Sequence, residues 1–324
     1  MKRLGFLALV LSLMVAVASV GQAAPRVFRF ATEHPPNTPV SKSMAYFADL
    51  IKEKSGGSVE IRLYYSGQLG GHKEILEQMR MGTLDIVHVS TAHLASYVPE
   101  FDVYAMPFLF RNTNHYWNVL RGEIGQNLFA KLPPHNIRGL AYYDAGSRSF
   151  YVKERPINSP KDLQGLKVRV MGTPVMLETM WAMGASPVSV SFSEVYSALQ
   201  SGVIDGAENN PPSVLNMKHY EVTKYFSLTE HISIPDAAVM NAKLFDSLSP
   251  ELQQLILEAA AEMESFQIET WNKDDEAALE TIRQAGVNIN SPDKGPFIEA
   301  VRPVYDKFAP QFDGLVEAIQ AVAD

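Results

Sequence analysis

Short apolar segments alternate with amphipathic segments along most of this chain. Apolar runs suited to β-strands span residues 27–31, 59–64, 84–89, 137–143, 166–170 and 238–241, and helical periodicity marks residues 39–54, 72–81, 174–183 and 193–200. Ser193 is placed to cap the last of these helices, and Gly202 to end it. Because strands that alternate with helices form mostly parallel sheets covered by helices, the pattern predicts an α/β fold.

One helical segment is much longer than the others. It begins with Ser249 as a cap and Pro250 at the first helical position, and it reaches Gly286 without an interior glycine or proline. Its apolar positions do not keep a strict heptad, which argues against a coiled coil. A helix of roughly 35 residues is about 50 Å long, more than the width of a small domain. We therefore expect one helix, or two with a bend, that runs along two domains.

The N-terminus has the three-part pattern of a secretory signal peptide. Lys2 and Arg3 precede an uncharged apolar run at 4–20, and small residues follow it. The run is shorter than the roughly 20 residues of a spanning helix, which disfavours a membrane anchor. We predict a signal peptide at residues 1–23 with cleavage after Ala23, because Pro25 disfavours a later cut.

Composition excludes several classes of protein. Loss of Lys2 and Arg3 with the leader lowers Lys+Arg from 28 to 26 against 36 Asp+Glu, a net charge of about −10. Nucleic acid is therefore not an expected partner. The chain has no cysteine, which excludes disulfides, thiol nucleophiles, zinc–thiolate sites and a lipoprotein anchor. About 300 residues suffice for roughly two domains.

No catalytic or cofactor motif is present. The sequence lacks a nucleophile elbow, a phosphate-binding loop, a zinc-protease motif and a dinucleotide fingerprint. His88 and His93 are five residues apart with no carboxylate at ligand spacing. The sequence therefore predicts no enzyme, no cofactor and no metal site.

Two arginines occupy settings that suit a bound acid. Arg148 follows a glycine turn and opens an apolar strand, and Arg169 lies within the apolar strand at 166–170. A guanidinium group matches a carboxylate through two parallel hydrogen bonds, so an organic acid is the ligand these residues would serve best, although a strand arginine is more often a surface residue. The segment 205–212 contains a further cluster of polar residues, with two asparagines before two prolines, and ordinary turn chemistry also explains this cluster.

At these residues the chain resembles the solute-binding subunits of TRAP (tripartite ATP-independent periplasmic) transporters, the DctP-type family. The resemblance covers essentially the whole mature chain. Its landmarks are SGQLG at 66–70, GTLD at 82–85, PFLF at 107–110, LQGLKVRV at 163–170, GASP at 184–187, FSEVY at 192–196 and DGAENNP at 205–211.

The resemblance implies a two-domain periplasmic binding protein fold, with a hinge, a ligand cleft between the domains and a long helix that spans both. We place domain I at residues 24–145 plus 234–273 and domain II at 146–233 plus 274–324. The resemblance also implies that the protein passes its ligand to membrane permease subunits, and that an ion gradient drives the movement of the ligand across the membrane.

The resemblance assigns roles to four residues. Arg169 corresponds to the arginine that forms a bidentate salt bridge with the substrate carboxylate, and Arg148 to a second contact with the acid. Asn209 corresponds to the residue that orients Arg169 and the carboxylate, and Phe192 to an aromatic residue that packs against the ligand.

The rest of the cleft is expected to be lined by residues of the other domain. These are Glu33, His34, the helix start at 72–74 with Glu74, the strand end with Ser90 and His93, and Asp236. Glu33, Ser90 and His93 differ from the usual residues of the family's sialic-acid binders, which disfavours that ligand. Polar groups suited to hydroxyls favour a sugar acid of the uronate or aldonate type.

Three alternatives stay open at this point. The ligand could be a C4-dicarboxylate or another 2-oxo or hydroxy acid. The protein could be a receptor for a sensor kinase, or an enzyme with an arginine clamp, although His93 has no positioned partner in the sequence.

Overall fold

A computed structural model describes residues 24–324, and the predicted signal peptide at 1–23 lies outside them. Its strands are β1 (Arg26–Ala31), β2 (Val59–Tyr64), β3 (Ile86–Ser90), β4 (Ile137–Tyr143), β5 (Arg148–Val152), β6 (Lys167–Val170), β7 (Ser186–Ser189), β8 (Gly206–Asn209), β9 (Tyr225–Ile232), β10 (Asp236–Asn241) and β11 (Asn288–Asn290).

Helices cover these strands. They are α1 (Pro39–Lys54), α2 (His72–Arg80), α3 (Thr91–Leu94), α4 (Thr113–Arg121), α5 (Glu123–Ala130), α6 (Pro174–Ala182), α7 (Val195–Ser201), α8 (Pro211–Asn216), α9 (Ala242–Asp246), α10 (Pro250–Gln284), α11 (Gly295–Ala300), α12 (Arg302–Phe308) and α13 (Leu315–Ala321). Short 3-10 helices lie at Pro99–Ala105, Pro133–His135, Pro160–Leu163, Phe192–Glu194, His219–Glu221 and Ala309–Phe312. No helix in residues 24–324 combines the length and the apolar character that crossing a membrane requires.

The strands form two sheets, one in each half of the molecule. The first has the order β2-β1-β3-β10-β4, and the second has the order β11-β9-β5-β8-β6-β7. Each contains one strand that runs antiparallel to both neighbours, β10 in the first and β5 in the second. The remaining pairs are parallel. The predicted α/β fold with mostly parallel sheets is confirmed, and each antiparallel strand follows one of the two loops that connect the sheets.

Two crossing loops, in addition to α10, carry the chain between the two halves. The chain leaves the first sheet between β4 and β5 and returns between β9 and β10. Gly146 in the first crossing has φ +57°, and a Cβ there would lie 3.0 Å from Trp271 Cζ2. A glycine is needed at this turn because both the backbone angle and the close indole disfavour a side chain. These crossings lie beside the predicted domain boundaries, which remain predictions.

The long helix is α10, a single element of 35 residues with Ser249 as its cap. Ile256 and Met263 in its first half pack with α1 and the first sheet, and Ile282 near its end packs in the core of the second half. At the middle, the amide of Gln267 accepts a hydrogen bond from Asp144 N and donates one to Asp144 O. The helix therefore spans both halves and is fixed to the crossing chain, as expected.

The start of α7 differs from the prediction. Ser191, not Ser193, is the capping residue, since Ser191 N and Oγ both donate to the Glu194 carboxylate and a 3-10 turn precedes the helix. A capping box requires an acidic residue three positions after the cap, a spacing that Ser191 has and Ser193 lacks. Gly202 ends the helix in the left-handed conformation, as predicted.

Candidate functional site

A cavity of about 320 Å³ lies between the two halves. We call it the cleft. All ten predicted site residues line it, namely Glu33, His34, Glu74, Ser90, His93, Arg148, Arg169, Phe192, Asn209 and Asp236. The structure thus brings together residues that are up to about 200 positions apart in the sequence, because parallel strands present their carboxyl ends at one edge of each sheet.

The two walls of the cleft differ in chemistry. The first-half wall comes from the residues after β1, the start of α2, the end of β3 and the start of β10. The second-half wall comes from β5, β6, the end of β8 and the turn at Phe192–Glu194. The first carries carboxylates and imidazoles, and the second carries the two arginines.

Arg169 is the unneutralised cation of the second wall. Its residue is 3% exposed, and its Nε donates to Val190 O at 2.9 Å. Within residues 24–324, no carboxylate lies at salt-bridge distance from it, and Nη1 and Nη2 make no hydrogen bond. Burial and then the neighbouring Arg148 lower the pKa of Arg169, although an arginine remains charged. A buried cation with free N–H groups aimed at a cavity is a site for an anion.

Arg148 is already neutralised by an acid. Its Nε donates to Glu208 Oε2, and its Nη2 donates to Glu208 Oε1 at 2.8 Å. Burial disfavours the charge, but the Glu208 carboxylate more than offsets this and raises the pKa of Arg148. Nη1 donates to Asn209 Oδ1 at 3.0 Å. Asn209 therefore contacts Arg148, and its role in orienting Arg169 and the ligand carboxylate stays a prediction.

Phe192 reaches across the cleft. It is buried, and its ring centroid lies 5.4 Å from that of His34 on the opposite wall. An aromatic ring in this position provides an apolar surface against which a ligand can pack.

Glu33 lies at the N-terminus of α2. A Cβ on Gly71, the residue that precedes this helix, would lie 2.6 Å from Glu33 Oε1 and 2.7 Å from Glu74 Oε2, so the glycine admits both carboxylates. Burial raises the pKa of Glu33 to about 7, although the charge of Arg169 opposes this effect. The Glu33 side chain is thus close to half protonated at neutral pH.

Histidines occupy the remainder of the first wall. Burial lowers the pKa of His34 and of His72 to about 3, and it also lowers the pKa of His93. Their imidazoles are therefore neutral. For Asp236, burial works against ionisation, but His88 beside it lowers the pKa, so this carboxylate is ionised.

Several functional neighbours were not indicated by the sequence. Glu208 was part of a recognised motif but not identified as the partner of Arg148. His88 lies with His34 and His72, a grouping that the five-residue separation of His88 and His93 does not indicate. Trp271 lines the cleft from the middle of α10. No periodicity in the sequence reports such contacts, because they depend on how the elements pack.

The fold and the site define a two-domain solute-binding protein. Its features are two sheets connected by crossing segments, a long helix that runs along both, and a charged cleft between them. The family model for bacterial extracellular solute-binding protein, family 7 (DctP) matches residues 30–311. The chain belongs to this family and is a TRAP transporter solute-binding subunit, as predicted. Proteins of this family bind substrates for transport and are periplasmic.

Solved structures of relatives extend the comparison. A TRAP periplasmic solute-binding protein from Roseobacter denitrificans with bound β-D-glucuronate is 38% identical, with a TM-score of 0.89 over 92% of this chain and 100% of that one. Another, from Sulfitobacter sp. NAS-14.1 with bound β-D-galacturonate, is 37% identical, with a TM-score of 0.89 over 91% and 99%. The C4-dicarboxylate-binding periplasmic protein DctP of Rhodobacter capsulatus is 31% identical over 98% of this chain and 96% of its own length.

Proposed function

We propose that this protein binds a sugar monocarboxylate of the uronate type in the cleft and delivers it to the membrane permease of a TRAP transporter. The observation that carries the proposal is the single unneutralised guanidinium group of Arg169 on the second wall. Relatives of similar fold hold glucuronate and galacturonate.

The charges of the cleft favour one carboxylate over two. Arg148 and Glu208 cancel each other, which leaves Arg169 as the buried cation that neutralises one anionic group, while the other cationic residue of the lining, Lys73, is exposed to solvent. On the opposite wall, Asp236 is ionised, and Glu33 is partly so. A second carboxylate on the ligand would face these acids and would be repelled. This charge balance favours a sugar acid over the C4-dicarboxylate alternative.

The first wall suits a hydroxyl-bearing ligand. Glu33 Oε1 and Ser90 Oγ are buried without a hydrogen-bond partner among the described residues. A hydroxyl group of a bound sugar acid can donate to Glu33 Oε1, and another can donate to Ser90 Oγ or accept from it. Glu74 and His93 are further polar groups of this wall.

Closure of the two halves around the ligand completes the mechanism. In an open cleft, Arg169 attracts anions; on closure the site excludes water, and the charge-assisted bonds strengthen. A neutral ligand would leave the Arg169 cation buried and unpaired. Its binding therefore carries a free-energy penalty, which further favours acids over neutral ligands. The permease then recognises the closed form. The protein catalyses no reaction, and it is exported by a signal peptide cleaved after Ala23.

The test is ligand binding by wild-type protein and by Arg169→Gln. We expect glucuronate and galacturonate to raise the melting temperature and to bind in calorimetry, with succinate and neutral hexoses much weaker. Arg169→Gln should cost about 2–5 kcal/mol of binding free energy, since it truncates a buried charge pair, a loss of about 30-fold or more in Kd. Arg62→Gln, at an exposed strand arginine, is the matched control. Unchanged uronate affinity in Arg169→Gln, or binding of neutral sugars alone, contradicts the carboxylate clamp.

A further inference from the structure

Three histidines from distant parts of the sequence converge in the first wall. His34 follows β1, His72 begins α2, and His88 lies in β3. One potential ligand atom from each lies within 4.8 Å of the other two, and all three side chains are buried. We call this group the histidine cluster. We propose that it binds a divalent transition-metal ion such as Zn²⁺, with Asp236 as the fourth ligand.

The ring separations fit a shared ion. The centroids lie 5.3 Å apart for His34 and His88, 5.9 Å for His72 and His88, and 6.4 Å for His34 and His72. Tetrahedral coordination at Zn–N distances of 2.0–2.1 Å places imidazole centroids about 5 Å apart. Movements of roughly 1 Å or less, within the reach of side-chain rotation, bring the three rings to that spacing.

Two of the ligand atoms have carboxylates of the same wall as their nearest polar neighbours. Nε2 of His72 and Nε2 of His88 are buried and make no well-formed hydrogen bond within the described part of the chain, and they lie 3.7 Å from Glu33 Oε2 and 3.3 Å from Asp236 Oδ2. His88 is 0% exposed and does not line the cleft, so the hydroxyls of a bound sugar acid cannot satisfy it. A metal ion held inside the wall can bind this nitrogen. A buried polar atom without a well-formed hydrogen bond calls for such an explanation.

The carboxylates are placed as metal chemistry requires. Asp236 Oδ2 lies 3.3 Å from His88 Nε2, and Glu33 Oε2 lies 3.7 Å from His72 Nε2. Nitrogen and oxygen ligands of one tetrahedral ion are about 3.3 Å apart. Asp236 provides one negative charge next to the ion, and the ionised form of Glu33 provides a second close by, so a dication is balanced despite Arg169 across the cleft. The imidazoles of His34 and His72 are neutral, which is the form that binds metal.

The donor set selects the class of metal. Three imidazoles and one carboxylate suit Zn²⁺, Co²⁺ or Ni²⁺, whereas Ca²⁺ and Mg²⁺ prefer all-oxygen sites. The sequence does not indicate this site, because the three histidines do not have a ligand spacing along the chain and meet only where β1, β3 and α2 pack side by side.

The experiment is a Co²⁺ and Zn²⁺ titration of chelator-treated mature protein. Wild type should bind one equivalent of Co²⁺ with a tetrahedral visible absorption band, and Zn²⁺ should displace it and raise the melting temperature. His72→Ala and His34→Asn should each weaken metal binding by about tenfold or more. His135→Ala removes a histidine outside the cluster and should bind as wild type does.

Two results overturn the proposal. One is the absence of the band together with no thermal shift, which would indicate an ordinary His88–Asp236 hydrogen bond. The other is wild-type Co²⁺ affinity in both cluster variants when their melting curves show that they are folded. Arg169→Gln separates this proposal from the proposed function, since it should lose uronate binding and retain Co²⁺ binding.

Discussion

The buried pair of Arg148 and Glu208 allows a quantitative test through Glu208→Gln. Glu208 is fully buried and neutralises Arg148 through two hydrogen bonds. Glutamine preserves the volume but removes the charge, and it replaces one acceptor oxygen with an NH₂ group that faces a guanidinium N–H. Loss of one partner of a buried pair costs about 3–5 kcal/mol. Because a chain of roughly 300 residues has an unfolding entropy of about 0.6 kcal/mol/K, the melting temperature should fall by about 5–8 °C.

The same substitution should change ligand selectivity. With Glu208 neutral, Arg148 becomes a second unpaired cation beside Arg169. A second ligand carboxylate some 6–8 Å from Arg148 would gain about 2–3 kcal/mol at an effective dielectric constant of 20. Succinate should therefore improve relative to glucuronate by at least about tenfold.

Denaturant unfolding and calorimetry with both ligands measure these effects. Glu280→Gln, at an exposed acid paired with Arg283, is the control and should change stability by less than about 1 kcal/mol. The double variant Arg148→Met with Glu208→Leu should recover most of the lost stability, since it removes both charges. A loss below about 1 kcal/mol in Glu208→Gln, with unchanged selectivity, would refute the charge balance that we assign to the cleft.

Two further predictions concern stability. Between about pH 4.5 and 7, the folded protein holds a proton on Glu33 that the unfolded chain releases, so the free energy of unfolding should fall as pH rises, by about 3 kcal/mol from this residue. In denaturant unfolding with chelator present, Glu33→Gln should flatten this dependence on pH. An unchanged slope would show that the pKa of Glu33 is not raised. Gln267→Leu leaves both backbone groups of Asp144 without partners and should lower the free energy of unfolding by about 2–3 kcal/mol. The control Gln254→Leu, at an exposed position, should lower it by less than about 0.5 kcal/mol. Equal losses in the two variants would argue against the Gln267 amide as the anchor between α10 and the crossing chain.

Local patterns in the sequence determined the elements of this fold. Ser249 and Pro250 start α10 where they predict it, and the helix continues without interruption because no glycine or proline lies within it. The apolar runs became strands for a similarly local reason, since alternation and bounding turns decide which backbone is buried. The arginines stood out because a charge within an apolar strand is unusual, and resemblance then gave Arg169 its expected role.

Packing decided what each side chain meets. Periodicity indicates which face of an element is buried, but not which residue of another element lies opposite. Glu208 neutralises Arg148 because β8 pairs with β5 in one register, and the same register places Asn209 Oδ1 within hydrogen-bond distance of Arg148 Nη1. The histidine cluster forms because β1 and β3 are adjacent parallel strands with α2 at their carboxyl edge. The sequence by itself thus determined an α/β protein with a long helix and indicated an arginine for an acid, while the charge balance of the cleft and the convergence of His34, His72 and His88 arose only from the tertiary structure.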